Sequence, residues 1–166
     1  MQNHFITSAA IKTGLLIAAI AFNAANAADT TPEPMPAAAP ARADPMAAAR
    51  AAVKVKDWKK SITELNTLVA VQPGNADAHN LLAYSYRKQA TPDLPKAFEH
   101  YNTALKLNPN HQGAHEYIGE AYLMDGKPAK AEEHLARLKV ICGNAACEEY
   151  DDLAKAIAAY KAKNKS

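Results

Sequence analysis

The sequence predicts an all-α fold, namely an α-solenoid of about three helix-turn-helix repeats followed by a capping helix. Ala, Leu, Lys, Glu and Tyr dominate its second half while Val, Ile and Thr are sparse, which favours helices over strands. Small and apolar residues recur at intervals of 34 to 36 residues, a period typical of stacked helix pairs. Residues 146–163 carry apolar side chains at spacings of three and four, as a surface helix does.

Residues 1–27 are predicted to form a signal peptide that is removed on export. Lys12 and the amino terminus supply a weak positive region, residues 14–22 are apolar, and Ala25-Asn26-Ala27 is a small-x-small cleavage site. The apolar run is about half the roughly 20 residues of a membrane-spanning helix, so an uncleaved membrane anchor is the less favoured alternative. No Cys near the cleavage site could carry a lipid anchor. We expect a periplasmic protein beginning near Ala28, with secretion or membrane anchoring as alternatives.

Residues 28–43 are predicted to be a disordered linker. The segment is rich in Ala and Pro and has almost nothing to bury, so it cannot recover the entropy lost on ordering. We expect an extended spacer between the signal peptide and the folded domain.

The folded domain is predicted to span residues 44–163, beginning at Asp44-Pro45. Asp is a good N-cap, and Pro suits the first helical position. Three repeats follow, at about residues 44–75, 76–111 and 112–142. A step of 36 residues relates His79, Leu82, Ala83 and Tyr86 to His115, Ile118, Gly119 and Tyr122.

The middle repeat contains two additional residues within the segment 91–95. Tyr86 precedes the equivalent small residue of its second helix by eleven positions, whereas Tyr122 does so by nine. Because the segment holds two prolines, which are excluded from a helix interior, we expect the insertion to lengthen the turn between two helices.

These repeats resemble the tetratricopeptide-repeat (TPR) family over about residues 44–142. The resemblance rests on small residues at the eighth and twentieth positions, aromatic residues at the eleventh, Pro after the second helix, and an acidic-aromatic pair that opens the second helix. The small residues are Ala83 and Gly119 at the eighth position and Ala97 and Ala131 at the twentieth. The aromatic residues are Tyr86 and Tyr122, the prolines are Pro73 and Pro109, and the acidic-aromatic pair is Asp57-Trp58. The segment from Cys142 to Tyr160 also resembles the carboxyl-terminal end of small exported proteobacterial TPR proteins. We expect residues 146–163 to cap the stack.

The resemblance implies a partner-binding groove lined by the first helix of each repeat. Asn and Arg could hydrogen-bond an extended peptide, and Tyr84 offers an amphipathic anchor. Glu116 and Glu120 interrupt the basic set of the family's carboxylate-clamp members, so the expected partner carries both signs of charge. Alternatively, these are ordinary exposed helix residues. The outward-pointing set is Arg50, Lys54, Asp77, Asn80, Tyr84, Arg87, Lys88, Glu116 and Glu120.

Cys142 and Cys147 are the candidates for a disulfide. Cysteines of exported proteins usually pair, and Gly143-Asn144 can end one helix and begin the next so that the two come within reach. Free thiols and a redox or metal role are the alternatives. The spacing is not Cys-x-x-Cys, and no second cysteine pair completes a zinc site.

His111 and His115 have a spacing that can chelate a metal on a helix. No Glu stands between them in the zincin arrangement, and His115 repeats the position of His79, which favours a packing role. We assign no metal and no cofactor.

The sequence favours a non-catalytic interaction module. It lacks a phosphate-binding loop, a nucleophile elbow and a kinase signature. The formal net charge is +2, and it falls to +1 when Lys12 leaves with the signal peptide, which argues against nucleic acid as a partner. We expect a protein or peptide partner in the cell envelope. The alternatives are a structural scaffold for self-association or envelope assembly and, less favoured, a thiol-redox protein, with the oligomeric state left open.

Overall fold

The structure, a computed structural model, describes residues 44–144 and 147–164. The predicted signal peptide and linker lie outside these residues. Within them the chain forms seven α-helices and no strand, so the predicted all-α solenoid with a final capping helix is confirmed. The helices are α1 (Ala47–Lys54), α2 (Trp58–Val71), α3 (Ala76–Lys88), α4 (Leu94–Leu107), α5 (Gln112–Met124), α6 (Pro128–Ile141) and α7 (Glu148–Lys163).

Consecutive helices pack side by side, and first helices also meet across repeats. The pairs α1–α2, α3–α4 and α5–α6 are in contact, α3 also packs against α2 and α5, and α7 packs against α5 and α6. The last helix therefore lies where the first helix of a fourth repeat would stand.

Short polar side chains begin three of the helices. Each accepts a hydrogen bond from a backbone N–H in the first turn, which satisfies a donor that the helix itself leaves unpaired. The pairs are Lys60 to Asp57 at 3.0 Å, Ala78 to Asn75 at 3.0 Å and Lys96 to Asp93 at 3.1 Å.

The first helix begins two residues later than the predicted start at Pro45. The Oδ1 of Asp44 accepts a hydrogen bond from the backbone N–H of Met46 at 2.9 Å, and its carbonyl accepts one from Ala47 at 3.1 Å. Asp44 and Pro45 thus form a turn before α1, because the aspartate side chain accepts its hydrogen bond from Met46, the residue that precedes the helix.

One backbone hydrogen bond closes the turn inside every repeat. The N–H of the residue that caps the second helix donates to a carbonyl near the end of the first helix. The bonds run from Asp57 to Ala52 at 2.9 Å, from Asp93 to Tyr86 at 3.1 Å and from Lys127 to Tyr122 at 2.8 Å. The middle turn has five residues, 89–93, where the others have three, 55–57 and 125–127. The insertion therefore lengthens this turn, as expected, and leaves its closing bond in place.

Among the described residues the core has two parts, one formed by the first two repeats together with α5 and one formed by the third repeat and α7. The small residues of the repeat, Ala83, Ala97 and Ala131, are fully buried. Gly119 lets α7 approach closely, since a Cβ added there would lie 2.7 Å from both Cδ atoms of Leu153, which is itself fully buried. The second part also contains Leu138 and Ile157.

None of the helices in the described segments is long and apolar enough to cross a bilayer.

Candidate functional site

The first helices of the three repeats form a shared pocket, the centre of the surface that we call the groove. A cavity of 270 Å³ lies between α1, α3 and α5. Asn80 is only 8% exposed, and its Oδ1 has no hydrogen-bond partner among the described residues. A buried amide oxygen without a donor carries a desolvation cost that a bound N–H would remove. The cavity is lined by Met46, Arg50, Asp77, Asn80, Leu81 and Tyr117.

Three half-buried aromatic side chains, which we call the aromatic row, cross the groove. The ring centroids of Tyr84 and Tyr117 are 4.8 Å apart, and Trp58 meets the ring of Tyr84 edge-on at 5.9 Å. Such rings supply contact area at low entropic cost because they are held in place before a partner arrives. Tyr117 was not among the predicted groove residues. It occupies the repeat position of Leu81, 36 residues earlier, and both side chains line the cavity.

Arg87 is buried beneath the aromatic row rather than exposed in the groove as predicted. Its side chain is 5% exposed, forms an ion pair with Glu120, and donates from Nε to the hydroxyl oxygen of Tyr101 at 3.3 Å. The guanidinium carbon lies 5.4 Å from the ring centroid of Tyr84 and 5.6 Å from that of Tyr117. The expectation that it points outward is wrong because α5 packs against α3 and covers this position. Arg87 therefore holds the groove together from below.

Glu116 is also more buried than predicted. Its residue is 9% exposed because α7 packs against α5, and it takes part in none of the ion pairs among the described residues. Burial, followed by the carboxylates of Glu120, Asp152 and Glu149, raises the pKa of Glu116 to about 8, while the charge of Arg87 opposes the rise. Ionising this group inside the fold is therefore costly.

Replacing Glu116 with Gln is expected to remove a loss of stability that occurs as the pH rises. The unfolded chain releases this proton near pH 4.5 but the folded chain holds it until about pH 8, so the fold loses stability across that window. Urea unfolding at pH 5 and pH 8.5 should show that Glu116→Gln gains about 2 kcal/mol relative to the natural chain at the higher pH. Glu64→Gln, which changes an exposed carboxylate on α2, is the control. An equal pH dependence in both variants would contradict the prediction.

The other predicted groove residues are exposed or half-buried. Arg50 is 55% exposed and forms an ion pair with Asp44, with one nitrogen–oxygen distance of 3.0 Å. Glu120 is 29% exposed and belongs to the Arg87 pair. Lys54, Asp77 and Lys88 are exposed.

Two histidine pairs join the first helix to the second helix, one in each of the last two repeats. The Nδ1 atoms of His115 and His134 are 2.8 Å apart, and those of His79 and His100 are 3.1 Å apart. The Nε2 of His115 lies 3.1 Å from the carbonyl oxygen of Pro109. A carbonyl only accepts, so Nε2 of His115 carries its proton and Nδ1 accepts the one on His134. The pair thus fits two neutral rings.

Replacing His134 with Gln is expected to make the free energy of unfolding fall less steeply as the pH is lowered. Burial, followed by the charge of His115, lowers the pKa of His134 to about 4. The unfolded chain therefore takes up this proton near pH 6.5 while the folded chain does not, so the stability that the neutral pair contributes above pH 6.5 is lost as the pH falls toward 4. In urea unfolding the natural chain should lose about 2 kcal/mol more than His134→Gln between pH 6.5 and pH 4. Parallel declines in the two proteins would refute this role of the pair.

The ring nitrogens of His111 and His115 face different partners. Nδ1 of His111 accepts a hydrogen bond from the N–H of Ala114 at 3.2 Å, and its Nε2 lies 3.1 Å from Oδ1 of Asp77. The nitrogens of His115 face His134 and Pro109. No cluster of three or more metal-binding side chains occurs in residues 44–144 and 147–164.

Cys142 and Cys147 are positioned for a disulfide that joins α6 to α7. Their Cα atoms are 5.7 Å apart and their sulfur atoms are bonded. Gly143 and Asn144, with φ of 59° and 73°, make the turn that brings the cysteines together. The pair therefore links the last repeat to the helix that covers it.

The architecture and the groove define a helical-repeat protein built from stacked helix pairs. Two family models described as tetratricopeptide repeat match residues 46–111 and 100–133, together more than half of the chain. The chain belongs to the tetratricopeptide-repeat family. Members of this family generally mediate protein–protein interaction and are typically non-enzymatic scaffolds.

Known proteins resemble parts of this chain. It is 33% identical over 64 residues to the E3 SUMO-protein ligase RanBP2 of Drosophila melanogaster and 31% identical over 86 residues to a tetratricopeptide repeat protein 21 homolog of Caenorhabditis elegans. These matches cover 39% and 51% of the chain but 2% and 6% of those proteins. The crystal structure of a thermophilic TPR protein from Thermus thermophilus superposes with a TM-score of 0.61 at 23% identity, covering 73% of this chain and 66% of that one. This last likeness concerns the fold.

Proposed function

We propose that this chain is an exported interaction module of the cell envelope that binds a peptide or protein segment in its groove and catalyses no reaction. The aromatic row carries the proposal: Trp58, Tyr84 and Tyr117 are half-buried and pack ring against ring, so they are held in place before binding. Tyr117 also lines the cavity. Side chains of this type are enriched among the residues that dominate binding energy. The location rests on the signal peptide that the sequence predicts for residues 1–27, and the family supports the class of partner.

The groove also offers a polar contact for an extended segment. The Oδ1 of Asn80 lacks a donor among the described residues and lies on the helix that carries Tyr84. A backbone N–H of a bound segment would satisfy it, while an apolar side chain of that segment packs on the rings.

The double variant Tyr84→Ala with Tyr117→Ala tests this proposal. Partners captured by the full-length protein from an envelope fraction should be lost with this variant, since it deletes the aromatic contact area. Val71→Ala is the control because that side chain is 72% exposed at the end of α2, outside the aromatic row. Retention of the same partners by the double variant, with its helical content intact, would refute groove binding.

The proposed location has its own test. Amino-terminal sequencing of the protein from a periplasmic extract should give a chain that begins at Ala28. A chain that still begins at Met1 and sediments with membranes would support the uncleaved-anchor alternative.

A scaffold that self-associates is the second candidate function. Val71, Leu107 and Val140 each stand in the last turn of the second helix of a repeat, with exposures of 72%, 43% and 70%. Val71 and Leu107 are 36 residues apart at equivalent positions, and exposed apolar side chains at the ends of these helices could pair between copies. Light scattering that shows a monomer at all concentrations would exclude this function, and an assembly abolished by Val71→Ser with Val140→Ser would support it.

We propose a structural rather than a redox role for the cysteine pair. Closing so short a loop contributes about 2 kcal/mol on the chain-entropy model. Cys142→Ser with Cys147→Ser is therefore expected to lower the free energy of unfolding by about 2 kcal/mol, measured by urea denaturation without reductant. A reductant should lower the stability of the natural chain equally and leave the variant unchanged. Reactive thiols in the native protein would instead favour the thiol-redox alternative.

A further inference from the structure

The turn between α1 and α2, together with the first turn of α2, carries a group of exposed lysines that we call the basic tip. Two hollows beside it share Lys59, and the larger, of 430 Å³, is also lined by Lys56 and Trp58. These side chains are therefore neighbours on one surface. None of the lysines takes part in the ion pairs formed among the described residues. The basic tip consists of Lys54, Val55, Lys56, Trp58, Lys59 and Lys60.

The corresponding turn of the third repeat neutralises its lysines, whereas the basic tip does not. In the third repeat each ammonium group lies beside a carboxylate of its own neighbourhood. The pairs are Lys127 with Asp125 at 2.7 Å and Lys130 with Glu133 at 2.9 Å. The carboxylates that line the hollows of the basic tip are those of Asp57 and Glu64, fewer than the four lysines. The basic tip thus keeps an excess of positive charge.

The fold gains no stability from the positions of these lysines. Lys56 has a φ of 59°, in the left-handed region that favours glycine, and Gly126 occupies the same place in the turn of the third repeat with a φ of 72°. Lys59 and Lys60 lie in the first turn of α2, where the positive end of the helix dipole opposes a cation. Unfavourable local geometry that persists on a surface indicates a function outside the fold.

The basic tip also exposes apolar area. Val55 is 73% exposed in the turn, and the half-buried Trp58 lines the adjacent hollow. Lysines attract anionic headgroups, while an apolar side chain and a Trp bind at the boundary of the acyl chains. An acidic protein segment would pair with the lysines but leave Val55 in water. We propose that the basic tip binds the surface of an anionic lipid bilayer, a contact separate from groove binding.

Brominated lipid vesicles test this contact on the full-length protein. Trp58 is the one Trp in the sequence, so its fluorescence reports on this place even if residues 1–27 bind lipid themselves. Bromine on the acyl chains quenches only a fluorophore that is nearly in contact. Vesicles of phosphatidylglycerol and phosphatidylcholine in equal parts should quench Trp58, and vesicles of phosphatidylcholine alone should not. Sodium chloride at about 1 M, where the screening length is about 3 Å, should abolish the quenching.

Lysine variants test the electrostatic part of the contact. Lys56→Gln with Lys59→Gln should weaken partition into the anionic vesicles about thirtyfold, the combined effect of two lysines near such a surface. Lys106→Gln with Lys139→Gln is the matched control, because it removes two exposed lysines from the last turns of α4 and α6. The control should change the partition less than about twofold, since charges more than a screening length from the bilayer contribute little.

A valine variant tests the apolar part. Val55→Ser should weaken the partition about fivefold, whereas Val71→Ser, which changes an equally exposed valine at the end of α2, should not. Equal quenching by both kinds of vesicle, no quenching by either, or equal losses in a variant and its control would overturn the inference. Binding of a blocked polyglutamate peptide in place of the anionic vesicles would also overturn it and would assign the basic tip to an acidic protein.

Discussion

Replacing Arg87 with Met is expected to lower the free energy of unfolding by about 3 kcal/mol, because it removes one partner of a largely buried ion pair. Three interactions are lost together: the pair with Glu120, the hydrogen bond to the hydroxyl of Tyr101, and the guanidinium contacts with the rings of Tyr84 and Tyr117. Met keeps much of the side-chain volume, so the loss reports on charge and hydrogen bonding. Urea unfolding followed by circular dichroism measures it.

The neighbouring cation supplies the control. Lys88 is exposed, and its ammonium lies 5.8 Å from the ring centroid of Tyr84. Lys88→Met should change the stability by less than about 0.5 kcal/mol, as surface substitutions usually do. If the two variants lose similar stability, Arg87 is not the internal support described above.

Replacing Leu153 with Ala is expected to cost about 3 kcal/mol, since it empties part of the core under α7. Leu153 is fully buried against Gly119 and belongs to the cluster that holds the last helix on the third repeat. Amide hydrogen exchange should show that α7 loses protection before the other helices.

Gly119→Ala separates packing at this contact from helix propensity. In the natural chain the new Cβ would lie 2.7 Å from the Cδ atoms of Leu153, so the substitution should destabilise the protein. In Leu153→Ala the same substitution should be neutral or stabilising, because the clash is gone and Ala favours a helix over Gly. If Gly119→Ala changes the stability equally in the natural chain and in Leu153→Ala, the close packing of α7 is not the reason that this position requires Gly.

The fold was predictable because its determinants are local and repeated. The period of small residues, the N-cap at Asp57 and the two extra residues before α4 each act through nearby backbone or one neighbouring helix. The start of α1 was misplaced by two residues because Asp44 satisfies the N–H of Met46 in a turn instead of capping the helix. Local chemistry allowed both geometries.

The groove was less predictable because burial there depends on contacts between repeats. Position within a helix suggested that Arg87 and Glu116 point outward, but α5 covers the first and α7 the second. Charged residues are usually exposed, so a single sequence does not reveal which of them is buried. Tyr117 was not among the residues expected to point into the groove, whereas the structure places it beside the cavity.

The hydrogen bond from the amide of Asp93 to the carbonyl of Tyr86 fixes how α3 and α4 are joined, and residues 89–92 form a loop between these two residues. Length added or removed in that loop would not alter how the neighbouring helices meet. Alignment of this chain with distant relatives should therefore be anchored on the two bonded residues, with gaps allowed only between them. A search that enforces a constant spacing would break the array at its middle repeat.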